Sequence, residues 1–291
     1  MKVVMMRLSM ITSFFLFLVL MSCHASQTGN RENTVEQQAS ILTEPIRTEF
    51  VQVSNNQCIK SRYLQCQSYI TKMETFKDGK INKFLLAYLI GRPVAIGSVR
   101  KNLTIDINEK MVTQGIPLLR DYQQEERDVP LSDESQVKLV DVKPDLLFFQ
   151  ESGAGYTGAA HREIEVSNVV MDRWTYHRVG LKDILIPGAE EKLQDLQLHY
   201  ILDALLIRES NPDYGSDNLT KKELEKMIET FNTGLSDNWG FDDKHMIFTY
   251  PPYETAPFSY SVIHAKIPFV RLKGIIKPEY LKMLNKPSSS R

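Results

Sequence analysis

From residue 137 onward the hydrophobic period changes twice, and that order constrains the fold more than any other feature of the chain. Val137–Phe149 reads as a strand pair or one long strand, Gly153, Gly155 and Gly158 mark a loop, and His161–Val170 resumes a period of two. Ala189–Glu209 then carries Leu193, Leu196, Tyr200, Ile201, Ala204 and Leu205 at helical spacing. Thr220 and Glu223 have the spacing of a capping box, and Leu224, Met227, Ile228 and Phe231 form the apolar stripe of a second helix that Gly234 ends. Met246–Tyr250 and Val262–Val270 return to strand periodicity, joined through a stretch bounded by Pro251 and Pro257. Strands, two helices and strands again predict an α+β fold over 136–288, a largely antiparallel sheet packed by two central helices.

A smaller mixed α/β region is expected before it, over 45–135. Ile46–Val53 and Gln67–Phe76 alternate as strands, separated by a loop that holds Cys58 and Cys66. Lys77-Asp78-Gly79-Lys80 is a turn signal, and Phe84–Ile90 is an apolar run that suits a helix or a buried strand. A helix fits within Ile105–Gln124, with Leu103, Ile107 and Met111 on one face and a break or kink at Gly115 and Pro117.

The N-terminus reads as an address. Lys2 and Arg7 precede an apolar run from Leu8 to Met21, shorter than the roughly 20 residues that cross a bilayer, so it reads as a secretory signal. Leu20-Met21-Ser22-Cys23 resembles the lipobox of bacterial lipoproteins. That resemblance implies cleavage after residue 22 and a diacylglyceryl thioether with an N-acyl chain on Cys23. Ordinary cleavage near Ala25 is the alternative. Residues 23–44 are polar and aperiodic, as expected of a tether. Cleavage before Cys23 leaves 269 residues with a net charge of −3, which offers no basic field for nucleic acid. No later stretch approaches 18 uninterrupted apolar residues, so membrane attachment is expected through the lipid alone. His24, rather than Asp, after the lipidated position favours an outer membrane facing the periplasm where two membranes exist, and the exterior of the cell membrane otherwise.

Cys58 and Cys66 are then the only other exported cysteines, and an oxidising compartment makes a disulfide between them the structural reading. Neither CxxC spacing nor a nearby His supports thiol catalysis or a metal site. His161, Glu163 and Glu165 fall at i, i+2 and i+4, which places them on one face of a strand, either as a solvated row or as a metal site. The glycines at 153–158 lack the Lys-Ser/Thr of a phosphate loop, and Ser152-Gly153 is not part of a nucleophile elbow. No carboxylate pair stands out for glycoside hydrolysis. The expectation is a non-enzymatic chain with neither metal nor cofactor.

Two stretches resemble the RsiV-like domain of lysozyme-sensing anti-sigma factors and PdaC-type peptidoglycan deacetylases. Tyr156-Thr157-Gly158-Ala159-Ala160-His161 resembles its Tyr-x-Gly-Gly-Ala-His turn, and Leu181-Lys182-Asp183-Ile184-Leu185 a following Leu-x-Asp segment. Tyr250-Pro251-Pro252-Tyr253-Glu254-Thr255-Ala256-Pro257 resembles its Tyr-Glu-x-Ala-Pro hairpin. Ala159 replaces a usual Gly, and neither a deacetylase domain nor a cytoplasmic sigma-binding module is expected in this chain. What the resemblance implies is an extracytoplasmic binding module for a lysozyme-type protein or peptidoglycan, with Tyr156, Gly158, His161, Tyr250, Tyr253 and Glu254 as its motif residues. A wall-acting enzyme and a structural lipoprotein are the opposing classes. His161 and Glu254 are expected to meet as a polar lock, with Tyr156 or Tyr253 beside them.

Overall fold

The computed structural model describes residues 48–60, 64–94, 98–123, 130–157, 161–211, 219–231 and 233–287. All lie in the compact unit Pro45–Arg291. The expected signal segment 1–22, Cys23, the expected tether 23–44 and Gly158 lie outside the described residues.

Strands β1 (Thr48–Lys60) and β2 (Leu64–Phe76) pair antiparallel from Thr48↔Phe76 to Lys60↔Leu64. The cysteine segment is therefore strand rather than loop. Cys58 stands directly across from Cys66, with Cα atoms 4.1 Å apart, and the two are disulfide-bonded. Asn56 and Gln57 are exposed on β1, an edge strand open to water.

Helix α1 (Gly79–Ile90) resolves the ambiguous apolar run as helix. Asp78 caps it by accepting the Lys80 N–H at 2.8 Å, Gly91 ends it at φ 72, and Ile81, Leu85 and Leu86 are buried. Helix α2 (Val99–Lys110) continues through a π-helical turn (Met111–Gly115) into α3 (Ile116–Gln123). The chain neither breaks nor stops at Gly115 and Pro117. The Ile116 N–H reaches back to the Met111 carbonyl, and this widened turn accommodates the residue without an N–H that follows. A Cβ on Gly115 would come within 2.8 Å of Met111 Sδ and 3.0 Å of the Tyr69 ring, so a larger residue there would have to displace both side chains.

These helices form the crossover that a parallel pairing needs. Strand β3 (Pro130–Val142) lies parallel to β2, and β4 (Leu146–Tyr156) and β5 (Glu163–Asp172) follow antiparallel, giving the order β1-β2-β3-β4-β5. The expected boundary between residues 135 and 136 falls inside β3. Gly153 and Gly155 are strand as well: Gly153 pairs with Ser135 and Glu165, Gly155 with Asp133 and Glu163. Ladders on both sides hold a glycine-rich segment extended despite its weak intrinsic preference.

The rest of the chain adds α4 (Leu181–Ile184), α5 (Glu190–Glu209), α6 (Lys221–Thr230) and an antiparallel sheet of β6 (Trp239–Phe241), β7 (His245–Tyr250) and β8 (Ile263–Pro268), followed by α7 (Pro278–Leu284). The Thr220–Glu223 capping box is present. The whole is α+β with largely antiparallel sheets. Two apolar cores share β4. Leu147 and Phe149 enter the core of α1, α2, Met73 and Ile107, while Leu146 and Phe148 enter that of α5, β6 and β7. Burial on both faces explains the unbroken apolar run Leu146–Phe149. Trp239 is a core residue, whereas Trp174 is exposed and donates its indole N–H to Asp145.

Candidate functional site

The β7–β8 connection, residues 251–262, builds the site. The Tyr253 N–H donates to the Ala256 carbonyl at 3.0 Å and the Glu254 N–H to Pro251 at 3.2 Å, which closes a tight turn with Tyr253 at φ 70. Tyr253 is 53% exposed on this left-handed corner. Its hydroxyl is hydrogen-bonded to His161 Nε2 at 2.6 Å, and His161 Nδ1 lies 3.3 Å from the Arg162 carbonyl. The Phe258 ring stacks on His161 with centroids 3.9 Å apart and planes 9° from parallel. His161, Tyr253 and Phe258 thus form an aromatic platform.

Glu254 takes no part in it, so the expected His161–Glu254 lock is replaced by His161–Tyr253. A tight turn sends successive side chains in different directions, and Glu254 lines a neighbouring cleft of about 320 Å³ with Thr233, Ser236, Asp237, Asn238 and Tyr250. Burial, then repulsion from Asp237, raises the Glu254 carboxyl above the ordinary carboxylate range. Among the described residues lining this cleft there is no Lys, Arg or His. Tyr156 is also elsewhere, packed with Leu118, Leu119 and Leu131. His161 precedes β5 rather than sharing a strand face with Glu163 and Glu165. Among the described residues no group of three or more His, Cys, Asp or Glu side chains is arranged to hold a metal ion.

A buried polar seam forms the floor. Gln197 is fully buried on α5; its Oε1 accepts the Tyr250 hydroxyl at 2.7 Å and the Ser236 N–H at 2.9 Å, and its Nε2 donates to the Ser236 carbonyl at 3.0 Å. Burial and nearby Glu254 push the Tyr250 phenol well above its usual range, so it stays a donor. The Asn238 amide acts as a stand-in strand on the edge of β5: it accepts the Asn168 N–H at 2.6 Å and donates to the Val166 carbonyl at 2.8 Å and the Thr249 carbonyl at 2.9 Å. Asn168 donates onward to Thr249 Oγ1 at 2.7 Å, which lies 3.0 Å from His264 Nδ1. Burial, then Lys266, lowers the His264 pKa and favours its neutral ring. Sequence reasoning missed Gln197, Asp237 and Asn238. Gln197 alone left a signal, a polar residue in the apolar stripe Leu193, Gln197, Ile201 and Leu205.

Residues 182–270 match the model of a family described as "Protein of unknown function (DUF3298)". The match includes the Tyr253 hairpin and the cleft but begins after the Tyr156–His161 segment. A crystal structure of a DUF3298 family protein from Pseudomonas aeruginosa PAO1 aligns at 20% identity and TM-score 0.57, covering 86% of this chain and 100% of that one. A DUF3298 family member from Bacteroides fragilis NCTC 9343 aligns at 17% identity and TM-score 0.62, over 82% of this chain and 98% of that one. No curated protein matches. Residues 182–270 therefore carry a DUF3298 domain, set in a fold shared with solved DUF3298 proteins.

Proposed function

We propose that this chain is a lipid-anchored extracytoplasmic binding protein, non-enzymatic, that receives a lysozyme-like protein on the Tyr253 platform. One observation carries the reading. A tyrosine held rigidly at an exposed corner by His161 and Phe258 has the amphipathic reach and low ordering cost of an interface anchor, and an acidic cleft adjoins it. The pairing of aromatic anchor and negative charge suits a basic protein better than a neutral or anionic glycan. The resemblance of the hairpin to RsiV-like domains supports the same partner class, and the lipobox-like segment supports attachment at Cys23.

The test is biolayer interferometry of the full chain carrying Cys23→Ala against lysozyme, with pull-down on purified sacculi in parallel. Saturable binding to lysozyme that Tyr253→Ala weakens at least tenfold is the expected result. Binding to sacculi alone assigns the platform to peptidoglycan, and binding to neither rejects the function. A wall-acting hydrolase is the second reading, favoured by Asp237 and Glu254 sharing one cleft. Release of soluble muropeptides from sacculi, abolished by Glu254→Gln, would establish it instead.

A further inference from the structure

A second cleft, of about 440 Å³, is lined by Lys192, Asp195, Leu196 and His199 of α5 together with Arg271 and Ile275. Lys192, Asp195, Leu196 and His199 follow helical spacing, so one face of α5 forms one wall. The other wall is the short 3₁₀ turn Phe269–Leu272 that follows β8. Phe269 and Leu272 anchor that turn in the core, at 3% and 0% exposure, which turns the intervening pair outward. Val270 is 79% exposed at its tip and Arg271 is exposed beside it, followed by exposed Lys273. Among the described residues Lys192, Arg271 and Lys273 have neither an ion-pair nor a side-chain hydrogen-bond partner. Among the described residues lining the cleft Asp195 is the acidic one, and His199 Nε2 stands 3.5 Å from Asp203 Oδ2, one turn further along α5. The lining therefore sets two cations, Lys192 and Arg271, against the single carboxylate of Asp195, beside the apolar Leu196 and Ile275.

We propose that this cleft and the Val270 tip form a membrane-contact face that takes the phosphate of an anionic phospholipid headgroup. Lys192 and Arg271 hold the phosphate from opposite walls, and Arg271 suits the task because its planar fork gives two parallel donors to one anion. Val270 enters the interfacial layer, where an apolar tip ringed by cations gains both burial and attraction to the surface potential. The lipid anchor proposed above adds proximity. The 25 residues from Cys23 to Thr48 reach at most about 85 Å when fully extended. Held that close, a weak headgroup site becomes effective, since binding is intramolecular. Such docking would fix which face of the domain, and therefore which direction the Tyr253 platform, is presented to the envelope.

Sedimentation of the full chain carrying Cys23→Ala with vesicles tests this face independently of acylation and of any lysozyme binding. At low salt, partition into phosphatidylglycerol/phosphatidylcholine vesicles is expected to exceed that into pure phosphatidylcholine at least tenfold. Lys192→Gln combined with Arg271→Gln should reduce it to the phosphatidylcholine level, and Val270→Ser should lower it severalfold, with melting temperatures unchanged because all three positions are exposed. Inorganic phosphate, compared with chloride at matched ionic strength, should shift vesicle binding by less than twofold, because free phosphate offers nothing to Val270. Equal binding to both vesicle types, undiminished binding by the double variant, or complete displacement by inorganic phosphate would each overturn the assignment.

Discussion

Tyr253 sits at φ 70, a conformation that costs an L-residue with a side chain about 1 kcal/mol and that glycine adopts freely. Tyr253→Gly should therefore leave the melting temperature near the wild-type value, strain relief offsetting the lost His161 and Phe258 contacts, while lysozyme binding falls at least tenfold. Calorimetry beside interferometry checks it; a large stability loss would make the tyrosine structural. Glu254 behaves oppositely to a bonded lock. Its carboxyl pKa is raised by burial and by Asp237, so the protonated form favours the folded state. That contribution is complete below the ordinary carboxylate range and is lost as pH rises through the raised value. Glu254→Gln should thus match wild type near pH 4 and melt about 1–2 °C higher at pH 8. Thermal melts across that range decide, and a lower melting temperature at pH 8 would restore the lock.

At the scale of elements, close approaches and neighbouring ladders override local preference. Gly240 in β6 lies against the Phe148 ring, where an added Cβ would come within 2.2 Å of a ring carbon. Phe148 is itself 2% exposed and 5.5 Å from Phe241, so the ring has little room to retreat. Gly240→Ala is expected to cost about 2–3 kcal/mol. Denaturant unfolding measures it, and an unchanged midpoint would mean that β4 and β6 separate easily. By contrast, Cβ atoms on Gly153 and Gly155 would meet their neighbours at 3.6–3.7 Å, an ordinary contact. These glycines weaken the strand locally without being demanded by space, which is why they resemble a loop in sequence and are strand in the fold.

Across the whole described unit, the five-stranded and three-stranded sheets are joined by β4 and by the Asn168–Asn238–Thr249 seam. Two cores that share a strand should not melt separately, so a single calorimetric transition is expected. Phe148→Ala should lower stability by about 3–5 kcal/mol and preserve that single transition, even though its side chain enters only the second core. Two resolved transitions in wild type would show that the seam does not couple the sheets.

Periodicity and capping chemistry were sufficient for α5, α6, β7 and β8, because each buries one continuous stripe and carries local signals such as Thr220 and Glu223. They were sufficient also to bring Cys58 and Cys66 into consideration as a pair, since their proximity in sequence is itself a local fact. The paired hairpin around those cysteines, the π-helical passage through Gly115 and Pro117, and the strand character of Gly153 and Gly155 were decided by tertiary partners, which supply the hydrogen bonds and packing that local preference lacks. The site divides the same way. His161 and Tyr253 were legible as motif residues, but that they meet each other, while Glu254 faces Asp237 instead, depends on the direction each side chain leaves a left-handed turn. That direction is set by three-dimensional closure of the hairpin, and no spacing along the chain encodes it.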